Sequence, residues 1–255
     1  MGAVIAVLTI AGCFSNPDSR LVPTIMSLGG EAEEIEMTGA WGIDITAITR
    51  DSDLPRVVGV ISTVSRPVRL RLTRHQLAQL NLLQPCRCEA VHNLFVVGLG
   101  EGLQYGNLSR MFPNVRCLDI SDNEITTSML RDLAKHPLIW LYSFDKCNIN
   151  DLDVTLLGDN DTISHLEFRK SRLRFTNSAP IINLRSLRFI TLTECEYDDT
   201  LITLFSAAPD LEGVRITNSI GPPIDTSRYA HSLAPQFDFG KTELEPRESD
   251  TEARP

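Results

Sequence analysis

Basic side chains are outnumbered, aromatic ones are scarce, and no apolar run is long. Across 255 residues, 24 lysines and arginines face 33 aspartates and glutamates, for a net charge of −9. That balance offers no broad cationic footprint for a polyphosphate backbone, so a nucleic-acid partner is not expected. No apolar stretch reaches the roughly 18 residues of a membrane-crossing helix. The six cysteines, at 13, 86, 88, 117, 147 and 195, are too sparse and uneven for a disulfide-stapled scaffold. Cys86-Arg-Cys88 has no second pair or nearby histidine to complete a zinc site, so no metal is expected. The chain also lacks a Gly-x-Ser-x-Gly elbow, a phosphate-cradling glycine loop with lysine, a His-Glu-x-x-His pair and a dinucleotide fingerprint. The expectation is a protein that is not an enzyme and carries no cofactor.

What is present is an ordinary globular composition, 42% apolar, with enough length for one substantial domain or two small ones. Residues 1–19 form an apolar N-terminal segment, with Ala3–Ile10 as its centre. It lacks the positive flank of a secretory signal, although Ile10-Ala-Gly-Cys13 resembles a lipoprotein cleavage box that would anchor Cys13 to a membrane. Asn107-Leu-Ser109 and Asn160-Asp-Thr162 fit the glycosylation pattern, which matters only for an exported chain. The plainer reading is a reduced, cytoplasmic protein; a secreted or membrane-anchored one is the alternative.

A short apolar phrase recurs through the middle of the chain. It reads Leu94-x-x-Val97-x-Leu99, Val115-x-x-Leu118-x-Ile120, Leu138-x-x-Leu141, Ile163-x-x-Leu166-x-Phe168, Leu187-x-x-Ile190-x-Leu192 and Leu211-x-x-Val214-x-Ile216. Eight residues after each start stand Gly102, Asn123, Lys146, Ser171, Cys195 and Ser219. Two-residue alternation puts Leu118 and Ile120 on one face and Cys117 and Asp119 on the other, so stacked units would share an apolar core that no single unit could bury. The expected core is Leu118, Ile120, Asn123, Leu141, Leu166, Ile190, Leu192 and Cys195. In the unit beginning at Leu138, counting places Ser143 and Lys146 in core slots; a one-residue bulge after Tyr142 would return Phe144, Cys147 and Ile149 to them. Thr126–Pro137 and Asp198–Pro209 read as capped helical returns.

The phrase resembles the leucine-rich repeat, with Val115–Ile125 closest to the family pattern. The resemblance covers about residues 91–221 and implies an α/β solenoid, with a short parallel sheet on the concave side and helical or irregular return segments. Residues 20–90 are expected to be a small α+β capping region. Within them, Val57–Thr63 followed by Arg66-Pro-Val-Arg-Leu70 resembles the closing helix and strand of a PDZ-type domain, and Leu77–Leu83 should be a linking helix. After Gly221-Pro-Pro223, residues 222–255 read as a polar, mobile tail.

The resemblance implies an open face of the kind that binds polypeptides. Asp119, Trp140, Tyr142, His165, Glu167 and Arg169 are the candidate partner-binding residues, because rings ringed by charges match the centre and rim of an interface. The expected role is a non-catalytic interaction or adaptor module for a protein or peptide partner. Three alternatives stand beside it: a secreted or lipid-anchored surface repeat protein, a substrate-capturing subunit of a ubiquitin-ligase-type complex, and peptide binding by a divergent PDZ-like region.

Overall fold

A computed structural model describes residues 17–83, 87–98, 107–152, 160–175, 186–201, 208 and 210–223. Cys13, Cys86, Gly102, Leu99, the return at 176–185, most of that at 202–209 and the tail beyond Pro223 lie outside these residues.

The chain enters through a single 3-10 turn, Pro17–Arg20, into the short helix α1, Leu21–Ser27. Gly29, at φ +91°, turns it back, and Gly30 lets the chain pass where a Cβ would stand 2.8 Å from the Asp44 carbonyl oxygen. The strands β1 (Glu31–Ile35) and β2 (Ala40–Asp44) pair as an antiparallel hairpin. Helix α2, Leu54–Ile61, buries Leu54, Val57 and Ile61, a spacing that keeps one face on the core. Strand β3, Val68–Thr73, buries Val68, Leu70 and Leu72 and turns Arg69 and Arg71 outward. Helix α3, Arg74–Leu82, starts at a capping box in which Thr73 and Gln76 satisfy each other's backbone amides. This is the helix expected at 77–83, begun three residues earlier.

From there the strands β4 (Val91–Val97), β5 (Cys117–Ser121), β6 (Leu141–Asp145), β8 (His165–Arg169), β10 (Phe189–Thr193) and β12 (Gly213–Thr217) line up in chain order. With β1–β3 they make one nine-stranded sheet, parallel except for the β1–β2 hairpin. The fold is therefore mixed α/β around a largely parallel sheet, and a single apolar cluster runs from Leu21 to Val214. Backbone pairing crosses residue 90, because β3 bonds directly to β4. Among the described residues no helix is long and apolar enough to cross a membrane.

The register is more regular than the phrase suggested. Leu94, Leu118, Tyr142, Leu166, Ile190 and Val214 are successive lateral neighbours, and Leu70 precedes them beside Leu94. Each lies 24 residues from the last, the interval that also separates their cross-strand hydrogen-bonding partners. Two expectations are corrected by this step. The first unit begins at Val91, not Leu94, since Leu94 and Val96 are the buried pair of β4. In the third, β6 pairs residue for residue with β5 and β8 and has no bulge. Ile139 fills its first apolar slot while Leu138 is 44% exposed, so Tyr142 and Phe144 face the core. Leu141, expected in the core, turns to the other face and is only half-buried.

After each strand the chain turns through a left-handed residue. Gly98, Asp122, Lys146, Lys170, Glu194 and Asn218 all have φ between 48° and 104°. The next slot holds small polar or thiol groups that stitch neighbouring turns together. Cys147 and Cys195 donate Sγ–H to the carbonyls of Ile120 and Phe168, each at 3.3 Å. Their own amides donate to the hydroxyls of Ser171 and Ser219 at 3.0 and 2.9 Å. Burial pushes the Cys147 thiol up to about 12, and the Cys195 thiol is raised for the same reason. Beyond these turns β7 (Asn148–Leu152), β9 (Arg172–Phe175) and β11 (Glu196–Tyr197) form a second, three-stranded parallel sheet. Of the returns, α4 is a single turn, Leu108–Met111; α5, Thr127–Leu133, is capped by the Thr126 hydroxyl and buries Met129, Leu130 and Leu133.

Candidate partner-binding face

Alternation on the parallel strands sends every second side chain away from the core. With the 24-residue register, one outward column reads Cys117, Leu141, His165, Phe189, Gly213, and the next reads Phe95, Asp119, Ser143, Glu167, Thr191, Arg215.

Three aromatic side chains meet along the first column. The ring of Trp140, which sits just ahead of β6 and is 37% exposed, packs edge-on to His165 at 5.1 Å. His165 in turn stacks on Phe189 at 4.6 Å with 27° between the planes. Phe189, 38% exposed, reaches across to Gly213, where an added Cβ would lie 3.1 Å from its Cδ1. The Ser164 hydroxyl lies 2.9 Å from His165 Nδ1 and fixes the ring's rotation. Burial pushes the His165 imidazolium down, against the pull of Glu167 and Glu212, so the ring is held toward its neutral form.

Asp119 and Arg169 also come together, but as a brace. Arg169 Nη2 donates to Asp119 Oδ2 at 2.5 Å and to the Ser143 hydroxyl at 3.2 Å, tying β5, β6 and β8 side by side. Asp119 is almost fully buried by this arrangement. Glu167 stands between Ser143 and Thr191, half-buried. Tyr142 is the correction among the expected partner-binding residues: it is fully buried on the core side. Its hydroxyl donates to the Leu133 carbonyl at 2.9 Å, which is what lets a phenol occupy an apolar slot. Burial raises its ionisation well above the usual phenol range.

The residues expected to form the core, Leu118, Ile120, Asn123, Leu166, Ile190, Leu192 and Cys195, are all buried, unlike Leu141. Asn123 donates to the Ser121 carbonyl at 2.7 Å and accepts from Arg74 at 2.8 Å. Asn160 is buried too, with its amide on the carbonyls of Ala134 and His136, so the second glycosylation pattern is turned inward.

Sequence reasoning passed over Phe189 as a site residue, and over Phe95 at the other end of the face. There β1 borders a cavity of about 670 Å³ lined by Arg69, Arg71, Phe95, Glu31, Glu33 and the Asp119–Arg169 brace, among others. The Arg69 guanidinium lies 5.3 Å from the Phe95 ring, and Arg71 pairs with Asp44 at 3.4 Å. Stepping back 24 residues from Asp119 reaches Phe95, and stepping again reaches Arg71; that count is the signal that finds them. Among the described residues no group of three or more histidine, cysteine or acidic side chains is placed to hold a metal.

No family model matches the chain, and no curated protein matches it.

Proposed function

We propose that this chain is a non-catalytic adaptor that binds a polypeptide partner, built as a solenoid of leucine-rich-repeat type whose parallel strands line the concave side. The observation that carries the reading is the exposed row Trp140–His165–Phe189. Rings already packed against one another lose little side-chain freedom on binding, so they suit the centre of an interface. Arg188 and Glu212, paired at 3.0 Å beside the row, and the half-buried Glu167 supply a charged rim that favours one orientation of a bound chain. The Asp119–Arg169 brace ties together strands that carry that surface instead of contributing unpaired charge. Buried thiols used as hydrogen-bond donors suit a reduced, cytoplasmic setting.

Quantitative affinity capture from the native source tests the reading. Trp140→Ala and Phe189→Ala are each expected to lose the captured protein at least tenfold, equivalent to about 1.4 kcal/mol, with the thermal midpoint unchanged. Lys135→Ala, an exposed residue just beyond α5, is the control. Full retention of the partner by both aromatic variants overturns the assignment.

A further inference from the structure

The cavity bordered by β1 lies at the other end of the outward face from Trp140, His165 and Phe189, and none of the three lines it. At about 670 Å³ it has the size of a site for a small molecule or a short peptide. Its charges follow a pattern. Two of its three arginines answer acids of the same lining: Arg71 reaches Asp44 at 3.4 Å and Arg169 reaches Asp119 at 2.5 Å. Asp44 also accepts from the amide and hydroxyl of Thr46, at 2.8 and 2.6 Å. The third arginine, Arg69, lies against the Phe95 ring instead. A guanidinium held in that way keeps N–H groups at its edge for an anion. On the β1 wall stand the exposed Glu31 and Glu33, whereas Glu34 turns to the other side of the strand and pairs with Arg66.

Strand register sets acid and cation in line. Glu33 is the partner of Gly42, and Gly42 of Arg69, so the three share one row across β1, β2 and β3. The neighbouring row is Glu31, Asp44 and Arg71, and there the middle carboxylate satisfies the arginine from within. Glycine leaves the corresponding place in the first row open. A Cβ added at Gly42 would lie 3.4 Å from Glu33 Cγ and 3.5 Å from Ile35 Cδ1, so both side chains lean over it. Two strand spacings separate the Glu33 and Arg69 backbones by about 10 Å. Arg69 leans onward to Phe95 on β4, away from β1. The lining also includes the apolar side chains of Ile35, Phe95 and Val97.

A ligand that answers this arrangement carries an ammonium at one end, a carboxylate about 10 Å away and an apolar group between them. An extended tripeptide has that span, at roughly 3.3–3.6 Å per residue, and both of its ends are charged at about pH 7. We infer that the cavity binds a short zwitterionic peptide with an apolar central side chain, its amino terminus against Glu31 and Glu33 and its carboxylate on Arg69. The bound peptide crosses β1, β2 and β3 over Gly42. None of the rings of the Trp140 row takes part, so the inference stands or falls separately from the partner-binding reading.

Calorimetric titration of the full chain with the tripeptide Gly-Phe-Gly tests it. Saturable binding at one site is expected, and the N-acetylated and C-terminally amidated forms should each bind at least about tenfold more weakly. Gly42→Val puts a branched side chain into the open place at ordinary contact distance, which suits a strand and fills the cavity floor. Its thermal midpoint should not fall, while its affinity for Gly-Phe-Gly should drop at least about tenfold. Arg69→Gln should bind the free and amidated peptides equally, a loss of discrimination that a general folding defect would not produce. No saturable binding at about 1 mM peptide, equal affinity of the wild type for the blocked peptides, or undiminished binding by Gly42→Val overturns the inference.

Discussion

The two ends of the large sheet are held in different ways. From β4 onward, position follows from counting: what a residue touches is whatever lies 24 residues before or after it. At the N-terminal end the step from Ile43 to its neighbour Leu70 is longer, β1 runs antiparallel, and single side chains take over the fastening. Asp18 accepts from Trp41 Nε1 at 3.2 Å, the Ser65 amide at 3.3 Å and Arg66 Nε at 3.0 Å. The Arg66 guanidinium also lies 4.5 Å from the Trp41 ring. Gln76 reaches from α3 to the carbonyls of Ile45 and Ile48 at 2.6 and 2.8 Å. A repeated register spreads cohesion over many equivalent residues, whereas a unique end concentrates it in a few.

The largest expected effect falls in the counted part. Leu166→Ala, flanked by Tyr142 and Ile190, should cost about 2–5 kcal/mol in denaturant unfolding. A cost under about 1 kcal/mol would mean that the ladder tolerates a missing rung and is less cohesive than its register implies. Asp18→Ala should cost roughly 1–3 kcal/mol, because it orphans three donors at once, and its exchange signature should be confined to β2, β3 and α2. Burial pushes the Asp18 carboxyl up, but the hydrogen bonds from Trp41, Ser65 and Arg66 outweigh it and hold the group below its ordinary value. Its contribution is therefore present above about pH 4 and lost as pH falls through that lowered value. A variant as stable as the wild type at neutral pH would show that the N-terminal end is fastened elsewhere.

A smaller, pH-dependent effect comes from His136 at the end of α5. Its Nε2 donates to the Phe112 carbonyl at 3.1 Å and its Nδ1 accepts from the Leu138 amide at 3.3 Å, so the buried ring is held neutral. Burial lowers its imidazolium against the pull of the Phe112 carbonyl. Neutral His136 thus contributes fully above about pH 6.5, and stability declines as pH drops below that value. Proton NMR of the ring should show a midpoint below about 6.5; one above it would contradict this assignment.

The smallest effect is a gain. Lys170→Gly, at φ 48°, should stabilise by roughly 0.5–1 kcal/mol, since relief of left-handed strain exceeds the extra entropy that glycine loses. Its contact with Glu194, at 3.9 Å and half-exposed, adds little to offset that. Loss of stability in this variant would show that the turn column depends on its side chains and not only on its backbone.

The alternation of Leu118, Leu166 and Ile190 was legible because short parallel strands impose a two-residue period that apolar side chains report directly. The third unit was misread because Leu138 and Leu141 look better suited to an apolar slot than Ile139 and Tyr142 do. The Leu133 carbonyl that satisfies the Tyr142 hydroxyl comes from the preceding helix, and no local pattern announces it. The same displacement hid Ser143 in the column of Asp119 and Glu167, where it receives Arg169. Phe95 was missed for a related reason: the first phrase was anchored on Leu94, three residues late, which moved the whole outward column of β4.

The constant interval between lateral neighbours has a kinetic side. Each new strand from β4 to β12 docks by closing a loop of the same length, so the entropic cost of adding a rung does not grow with the number already in place. Most of the parallel sheet is thereby assembled from local closures. Its folding time should depend on how fast one such loop shuts, and lengthening the molecule by another interval should change that time little.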